Sequence, residues 1–354
     1  MAKVFLLSAA PAQERTPFNL GPLTVLQASA RCDPFGVHTL TDYPAAADLI
    51  LFADLDGAGL HFEAIRRHPL VKRYREKCFI FCSNAFVIPF LPGVYASIEK
   101  RWASRRTLAG FHVGTLQNEF ASFTPATDDL PYLFSFIGST VNAPVRQRVR
   151  NVSHPRAFFR DTAAEFARIS TGRMDEHERR DYFRQYVEVT KASKFVLCPR
   201  GLGVATIRLV ETLKMGRVPV IISDNWVEPV GPDWGQFSVR IRERDVHKIP
   251  GILEARESEA IAMGHRARSA WEQWFSDEVA FHRVVEACLQ IRACRRMPEA
   301  IARWPAYLQL LRPLHLRFAL RRPYRAARKA LQHRAQATST ASAGASEHCH
   351  VVSR

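Results

Sequence analysis

Three charged side chains between two apolar runs are the residues of this chain best suited to bind an anionic ligand. Residues 195–198 (FVLC) and 218–222 (VPVII) have the apolar, β-branched composition of buried strands. Arg200 lies in a Gly- and Pro-rich loop after the first run, and Arg208 and Glu211 follow in a stretch with helical periodicity. A helix N-terminus beside two arginines stabilises a phosphate group, because its free N–H groups and the guanidinium groups donate hydrogen bonds to phosphate oxygens.

The spacing of Arg208 and Glu211 allows two interpretations. The two residues are three positions apart and share a helix face. Glu211 can form an ion pair with Arg208, or it can accept hydrogen bonds from the hydroxyl groups of a ribose. An ordinary α/β unit with a solvated Arg–Glu pair explains the same pattern, because short Gly loops are common. If the unit belongs to an open parallel sheet, its loop lies at the carboxyl edge, where such sheets bind ligands.

A longer pattern around this unit resembles the signature of the exostosin family of glycosyltransferases. An upstream block, residues 133–139 (LFSFIGS) followed by Arg146, resembles the strand with which that family opens its donor domain. The matching positions occur in the family's order over about a third of the chain. A chance match of this extent is improbable, whereas a lone Gly motif often occurs by chance. The downstream segments that carry the resemblance are 195–201, 206–213, 216–224 and 234–245.

The resemblance implies an α/β fold in which two Rossmann-like domains face a cleft, the GT-B arrangement. The expected domains are residues 1–130, which would bind the acceptor, and residues 131–297, which would bind the nucleotide sugar and include the return helices. Residues 298–354 are expected to form a basic amphipathic helix and a disordered tail. Residues 123–131, polar and bounded by Pro, predict the linker between the two domains.

Sugar transfer from a nucleotide diphosphate sugar requires stabilisation of the departing diphosphate. Cationic side chains and N–H dipoles can supply it without a metal ion, so we expect neither a metal site nor a cofactor. Asp224 is expected to touch the donor sugar, although capping of the turn through Asn225 is an equal alternative. Many relatives of the family carry Tyr or Arg at the position of Leu202. This difference affects which donor is accepted, not whether a donor is accepted. The predicted donor-binding residues are Gly138, Ser139, Arg146, Arg200, Gly201, Arg208, Glu211 and Asp224.

The family is understood to invert the anomeric configuration, and inversion requires a general base that takes the proton of the acceptor hydroxyl. Asp54 and Asp56 follow a predicted strand of the first domain, and they are the predicted candidates for this base. His112 and Glu119 are alternatives. The Asp54-Leu55-Asp56 sequence has the form of a metal-binding D-x-D pair, but we interpret it as a loop that ends a strand.

The net charge of +16 is concentrated in one segment. No acidic residue occurs between Glu299 and Glu347, whereas nine basic residues occur there; without these nine the chain carries +7. Residues 313–334 combine this charge with an apolar stripe, which predicts binding to an anionic membrane surface. A solvated basic helix without a partner is the alternative. A nucleic-acid-binding protein would require basic and aromatic residues interleaved on a folded face.

No apolar run approaches the roughly 20 residues of a membrane-spanning helix. Seven scattered cysteines suggest no disulfide framework, and Cys198 is expected to be a small buried hydrophobe. We therefore expect a cytoplasmic enzyme, peripheral on the inner membrane face. Its expected reaction is inverting, metal-independent transfer of a sugar to a glycan or lipid-linked acceptor in surface polysaccharide synthesis, without nucleic acid as a partner. A nucleic-acid-binding protein or a catalytically silent subunit of a glycosyltransferase complex is the alternative.

Overall fold

The computed structural model of the protein describes residues 1–12, 15–54, 62–85, 87–114 and 118–311. The chain separates into two compact units, Met1–Ala300 and Ile301–Arg354. Asp56 and the predicted basic helix at 313–334 lie outside the described residues. The first unit contains both sheets of the protein.

The first sheet has six parallel strands in the order β2-β1-β3-β4-β5-β6. Its two central strands, β3 and β4, are buried along their whole length, which explains their nearly continuous apolar sequences. The strands are β1 (Lys3–Leu7), β2 (Thr39–Leu40), β3 (Leu49–Asp54), β4 (Cys78–Cys82), β5 (Gly93–Tyr95) and β6 (Thr107–Ala109), and the helices among them are α1 (Gly21–Arg31), α2 (Glu63–Arg67) and α3 (Pro69–Arg73).

The second sheet has five parallel strands in the order β11-β10-β9-β7-β8. Its strands are β7 (Tyr132–Gly138), β8 (Ala157–Asp161), β9 (Ser193–Pro199), β10 (Val218–Ile222) and β11 (Val239–Arg240). The helices of this part are α4 (Pro144–Arg150), α5 (Ala163–Ser170), α6 (Glu176–Lys191), α7 (Ile207–Lys214), α8 (Ile249–Glu254), α9 (Ala260–Trp274) and α10 (Ala280–Ala293). Two short helices follow, α11 (Glu299–Ala302) and α12 (Trp304–Leu308).

The two sheets share one topology, and it fixes where each has a crevice. In each sheet the first strand lies between the second and the third, so the chain reverses its direction of winding at the first strand. Ligands of doubly wound sheets bind at this reversal, outside the carboxyl ends of the strands. The crevices lie between β1 and β3 in the first sheet and between β7 and β9 in the second. Two parallel α/β sheets confirm the predicted fold class.

Helix α10 returns from the second sheet to the first. It packs against α1 and β5, while α9 packs against α7 and the second sheet. The Ser29 hydroxyl of α1 donates to the carbonyl of Glu278 (3.0 Å) and accepts from the N–H of Phe281 (2.9 Å). One hydrophobic cluster contains residues from both sheets and from α10, so the two sheets are held as neighbours by a common core.

A buried arginine holds the segment that connects the sheets. The guanidinium of Arg217 donates to the carbonyls of Thr124 (2.8 Å), Lys191 (2.7 Å) and Met215 (3.0 Å). It therefore joins the connecting segment to the C-terminal ends of α6 and α7. Burial lowers the pKa of Arg217 to about 10, which leaves it charged at neutral pH. Sequence periodicity did not single out this residue, because its partners are distant backbone carbonyls.

Candidate functional site

A cavity of about 270 Å³ lies at the carboxyl edge of the second sheet, at the crevice between β7 and β9. The loops after these two strands form much of its wall, and residues of α4, α5, α6 and α7 also line it. Ala85, His112 and Asn118 contribute to it from the part of the chain before the second sheet. Six of the eight predicted donor-binding residues line the cavity: Gly138, Ser139, Arg146, Gly201, Arg208 and Glu211.

Arg208 is one of two buried arginines that line this cavity. Helix α7 begins at Ile207, so Arg208 is its second residue. Its Nη2 donates to the carbonyl of Ile137, whereas Nε and Nη1 are buried and have no hydrogen-bond partner within the described residues. The guanidinium also lies 4.6 Å from the ring centroid of Phe136. Buried donors of a charged group without partners are costly, so two of them beside a cavity indicate a position for an anionic group.

Arg146 has a different role, because the protein itself satisfies its guanidinium. Its Nε donates to the carbonyl of Arg200 (2.9 Å), Nη1 to that of Ser139 (3.0 Å) and Nη2 to that of Pro199 (3.4 Å). These bonds tie the loop after β7 to the loop after β9. Burial lowers the pKa of Arg146 to about 9, and the neighbouring Arg208 cation adds to the shift. The cavity wall therefore carries two adjacent cations, and a bound anion would relieve their repulsion.

The loop after β7 is shaped by a carboxylate and by the lack of a side chain at Gly138. Asp161, at the end of β8, accepts from the N–H of Thr140 (3.1 Å) and from the N–H of Ala163 (3.1 Å). These bonds hold the backbone between Gly138 and Thr140. The Ser139 hydroxyl is buried at the cavity wall and has no partner within the described part of the chain.

Glu211 lies on α7 one turn after Arg208 and is half-buried. Burial raises the pKa of its carboxyl above its ordinary value, although Tyr186 and Arg208 oppose the shift. The Tyr186 hydroxyl lies near this carboxylate, yet it makes no hydrogen bond of normal geometry within the described residues. The carboxylate therefore keeps the capacity to accept hydrogen bonds from hydroxyl groups of a ligand.

Arg200 and Asp224 do not line the cavity, because both are hydrogen-bonded to Glu243. Glu243 accepts from Nε of Arg200 (2.7 Å) and from the N–H of Asp224 (3.4 Å), while its own N–H donates to Oδ1 of Asp224 (3.0 Å). Asp224 is exposed and closes this turn. Glu243 is part of the segment that carries the sequence resemblance, but its pairing across 43 positions has no local signal.

The structure does not support Asp54 as a base that touches substrate. Its side chain has no exposed area. Its carboxylate accepts from the Ser8 hydroxyl (2.5 Å) and from the N–H of Ala9 (3.2 Å), so it holds the loop after β1 at the crevice of the first sheet. Burial raises the pKa of Asp54, and the bonds from Ser8 and Ala9 oppose that shift. Asp56 lies outside the described residues.

The two alternatives to these aspartates differ in position. His112 lies three residues after β6, lines the cavity and is half-buried. Its Nδ1 is 3.0 Å from the carbonyl oxygen of Ser83 and 3.4 Å from the Ser83 hydroxyl. Glu119 is exposed and does not line the cavity.

The cavity has an aromatic side that the sequence analysis missed. Tyr182 and Tyr186 lie one turn apart on α6 and line the cavity with Phe183, and Phe166 and Ile169 of α5 belong to the same lining. The spacing of the two tyrosines, at i and i+4 on a polar helix, was the available signal. Trp226 and Trp234, by contrast, pack against each other in the core at 5.0 Å and are buried.

Gly203 lets the loop after β9 contact the first sheet's domain. A Cβ atom there would lie 2.2 Å from the Ser97 hydroxyl and 2.4 Å from the carbonyl oxygen of Ala85. The Ser97 hydroxyl accepts from the N–H of Ala205 (3.2 Å). Only glycine permits this approach, and the contact places residues of both domains at one cavity.

Two further properties concern metals and membranes. In the part of the chain that the structure describes, His, Cys, Asp and Glu residues form no group of three or more with the arrangement of a metal site. None of the helices within the described ranges has both the length and the apolar composition that crossing a bilayer requires.

Cys198 is a free thiol buried in β9, and burial raises its pKa to about 11.

Residues 125–256 match the family model described as the exostosin GT47 domain. The exostosin-1 homolog of Caenorhabditis elegans is 40% identical over 81 residues, which are 22% of this chain and 20% of that protein. Exostosin-1 of Drosophila melanogaster is 32% identical over 111 residues, which are 30% of this chain and 14% of that protein. The resemblance found in the sequence is confirmed for this region. The chain spans a fifth or less of the length of these two relatives.

Two solved structures align with most of the chain at low similarity. HepE from Anabaena in complex with UDP is 10% identical, with a TM-score of 0.37, over 82% of this chain and 100% of that one. Sucrose-phosphate synthase from Thermosynechococcus elongatus is 10% identical, with a TM-score of 0.42, over 83% of this chain and 100% of that one.

Proposed function

We propose that this protein is a glycosyltransferase that moves a sugar from a nucleotide diphosphate sugar to a glycan or lipid-linked acceptor. The observation that carries the proposal is that Nε and Nη1 of Arg208, at a cavity on the β7–β9 crevice, have no hydrogen-bond partner among the residues that the structure describes. The match of residues 125–256 to the exostosin GT47 domain supports the same reaction class.

The cavity offers a separate partner for each part of such a donor. Arg208 and the N-terminus of α7 would bind the diphosphate through charge-assisted hydrogen bonds. Glu211 would accept hydrogen bonds from hydroxyl groups of the ribose. The aromatic side of the cavity, formed by Tyr182 and Phe166 among others, would contact the flat face of the base.

We propose that the transfer proceeds with inversion and without a metal ion. The charge that develops on the departing diphosphate would be stabilised by Arg208, by the Arg146 cation beside it and by the N–H groups of α7. The bonds of Arg146 to three loop carbonyls hold the loops after β7 and β9 together, so little reorganisation of these loops would be required during the reaction. The acceptor would approach from the first sheet's domain, which contributes Ala85, His112 and Asn118 to the cavity.

The reaction is tested by measuring the release of nucleoside diphosphate from a panel of UDP-, GDP-, ADP- and CDP-linked sugars. We expect turnover with one class of nucleotide sugar, and we expect Glu211→Ala to abolish it while the protein remains folded. Glu188→Ala on the neighbouring helix α6, where the side chain is exposed, is the matched control. Full turnover by Glu211→Ala would remove the donor-site assignment, and binding of donors without any turnover would favour a catalytically silent subunit.

We further propose that residues 313–334 hold the enzyme on an anionic membrane surface, at the inner face of a cytoplasmic membrane, where a lipid-linked acceptor for surface polysaccharide synthesis would be located. The support is the concentration of basic residues in this segment beside an apolar stripe. The same concentration argues against nucleic acid as the partner, because the excess charge lies in one terminal segment rather than on an aromatic-rich folded face.

A further inference from the structure

We propose that Nε2 of His112 is the general base that takes the proton of the acceptor hydroxyl. The inference rests on the proposed glycosyl transfer and names a residue that acts in it. Among the described residues of the first 130, His112 is the one titratable side chain that lines the cavity. Its partners in the lining from this part of the chain, Ala85 and Asn118, carry no group that can accept a proton.

Hydrogen bonding fixes which nitrogen of His112 is basic. The Ser83 carbonyl oxygen, 3.0 Å from Nδ1, can only accept a hydrogen bond, so Nδ1 carries the proton and Nε2 carries the lone pair. This bond also fixes the orientation of the ring. Burial lowers the pKa of His112 to about 4, against the opposing influence of the Ser83 carbonyl, so the imidazole is neutral at physiological pH and its Nε2 lone pair is free of a proton.

The position of His112 suits transfer between the two domains. Its side chain lines the main cavity together with Gly138, Arg208 and Glu211, and it also lines a smaller adjoining cavity with Glu211 and Asp277. It comes from the carboxyl edge of the first sheet, whereas the anion-binding groups come from the second. A base from one sheet and a leaving-group site from the other suit an inverting displacement, in which the nucleophile and the leaving group lie on opposite sides of the anomeric carbon.

The competing carboxylates are less suited. Glu211 belongs to the same helix as Arg208 on the leaving-group side, and it interacts with the backbone N–H of Asn118. The Asp54 side chain has no exposed area and accepts from Ser8 and Ala9. His112 is therefore the group whose location, tautomer and charge state all match the requirement.

The acceptor oxygen forms a bond to the anomeric carbon as the bond from that carbon to the diphosphate oxygen breaks. The electron pair of the broken bond remains on the departing nucleoside diphosphate. The proton of the acceptor hydroxyl moves to Nε2 of His112, which becomes imidazolium with Nδ1–H still donated to the Ser83 carbonyl. The imidazolium then releases its proton to water.

The test compares His112→Gln and His112→Ala with His68→Gln, a control in the same domain. His68 is a partly buried histidine whose pKa burial also lowers, and it lies outside the cavity. Binding of UDP, GDP, ADP and CDP is measured by calorimetry, and release of nucleoside diphosphate from the corresponding nucleotide sugars is measured with water as acceptor. We expect both His112 variants to bind nucleoside diphosphate within about 2-fold of the wild type and to lose about 100-fold or more in turnover.

Added imidazole should restore turnover to His112→Ala and not to Glu211→Ala, a result that a purely structural role of His112 would not produce. Turnover of His112→Gln within about 3-fold of the wild type would overturn the inference about His112. If both proteins still bound nucleoside diphosphate, the proposed function would stand. Absence of nucleoside diphosphate binding to the wild type would instead overturn the proposed function, and the assignment of His112 with it.

Discussion

A Cβ atom at Gly138 would lie 2.2 Å from Nη2 of Arg208, the nitrogen that donates to the carbonyl of Ile137. Glycine at the end of β7 therefore leaves the space that the guanidinium occupies. This pair connects two of the segments that carry the sequence resemblance, the strand β7 and the start of helix α7.

We expect Gly138→Ala to displace the Arg208 guanidinium and to weaken binding of nucleoside diphosphate by about 10-fold or more, since a charge-assisted bidentate contact would be lost. Calorimetric titration measures the affinity. Gly251→Ala is the matched control, because a Cβ atom there would meet nothing within 4 Å. Unchanged affinity in Gly138→Ala would show that Arg208 does not bind the phosphates.

A second prediction concerns acid stability. The Glu257 carboxylate accepts from Nη1 of Arg156 (2.7 Å) and Nζ of Lys194 (2.8 Å), and these two cations hold the pKa of Glu257 at about 2. A folded-state pKa below the ordinary value of 4.5 stabilises the native state above pH 4.5, and this contribution is lost as the pH falls towards 2. We expect Glu257→Gln to lower the free energy of unfolding by about 1–3 kcal/mol at pH 7, because Lys194 is buried.

Urea unfolding of the wild type and of Glu257→Gln, at several pH values, measures this contribution. The difference between the two proteins should shrink as the pH falls below 4.5. Glu259→Gln is the control, because the Glu259–Arg256 pair is exposed and should contribute within about 0.5 kcal/mol. A constant difference for Glu257→Gln between pH 7 and pH 3 would contradict the assignment of the low pKa to these cations.

A third prediction is that turnover survives chelation. Guanidinium groups and helix N–H groups carry the charge of the departing diphosphate in the proposed mechanism, so EDTA in excess should leave the rate within about 2-fold of the untreated enzyme. Comparison of the treated enzyme with and without added manganese completes the measurement. If chelation abolished turnover and manganese restored it, a metal ion would stabilise the departing diphosphate. Asp56, in the segment with the form of a metal-binding D-x-D pair, would then be a candidate ligand.

A fourth prediction concerns the basic segment 313–334. Truncation after Leu311 should release the protein from anionic vesicles and leave nucleotide binding unchanged, since each basic residue near an anionic surface contributes about 1 kcal/mol. Co-sedimentation at rising anionic lipid content and at high salt tests this. Truncation after Met297 is unsuitable, because it removes the buried Glu299, whose carboxylate binds Nε of Arg106 at 3.0 Å. Equal sedimentation of the full-length and shortened proteins would refute the membrane assignment.

The local patterns predicted the unit from β9 to β10 with its two charged helix residues, whereas the family resemblance predicted the two-domain fold and Gly138. Buried parallel strands are apolar throughout, and the loops that follow them contain Gly, so strands such as β9 and β10 and the loop after β9 were recognisable from the sequence. Arg208, Glu211 and Gly138 are close to these signals in the chain, and the structure places all three at one cavity.

The remaining features depend on partners far apart in the chain. The pairing of Arg200 with Glu243, the bonds of Asp54 to Ser8 and Ala9, and the aromatic side formed by α5 and α6 arise only when the chain is folded. The preference for Asp54 as the base followed from its place at a strand end. In the folded chain the Asp54 side chain is buried there and binds the loop after β1 through Ser8 and Ala9.

The most direct test of the central claim is calorimetric titration of the wild type and of Arg208→Gln with UDP, GDP, ADP and CDP, and with the corresponding monophosphates. We expect one diphosphate to bind the wild type in the micromolar range, its monophosphate to bind at least about 10-fold more weakly, and Arg208→Gln to reduce this difference. Equal affinity of the diphosphate and the monophosphate for the wild type, or undiminished discrimination in Arg208→Gln, would contradict a diphosphate site at Arg208.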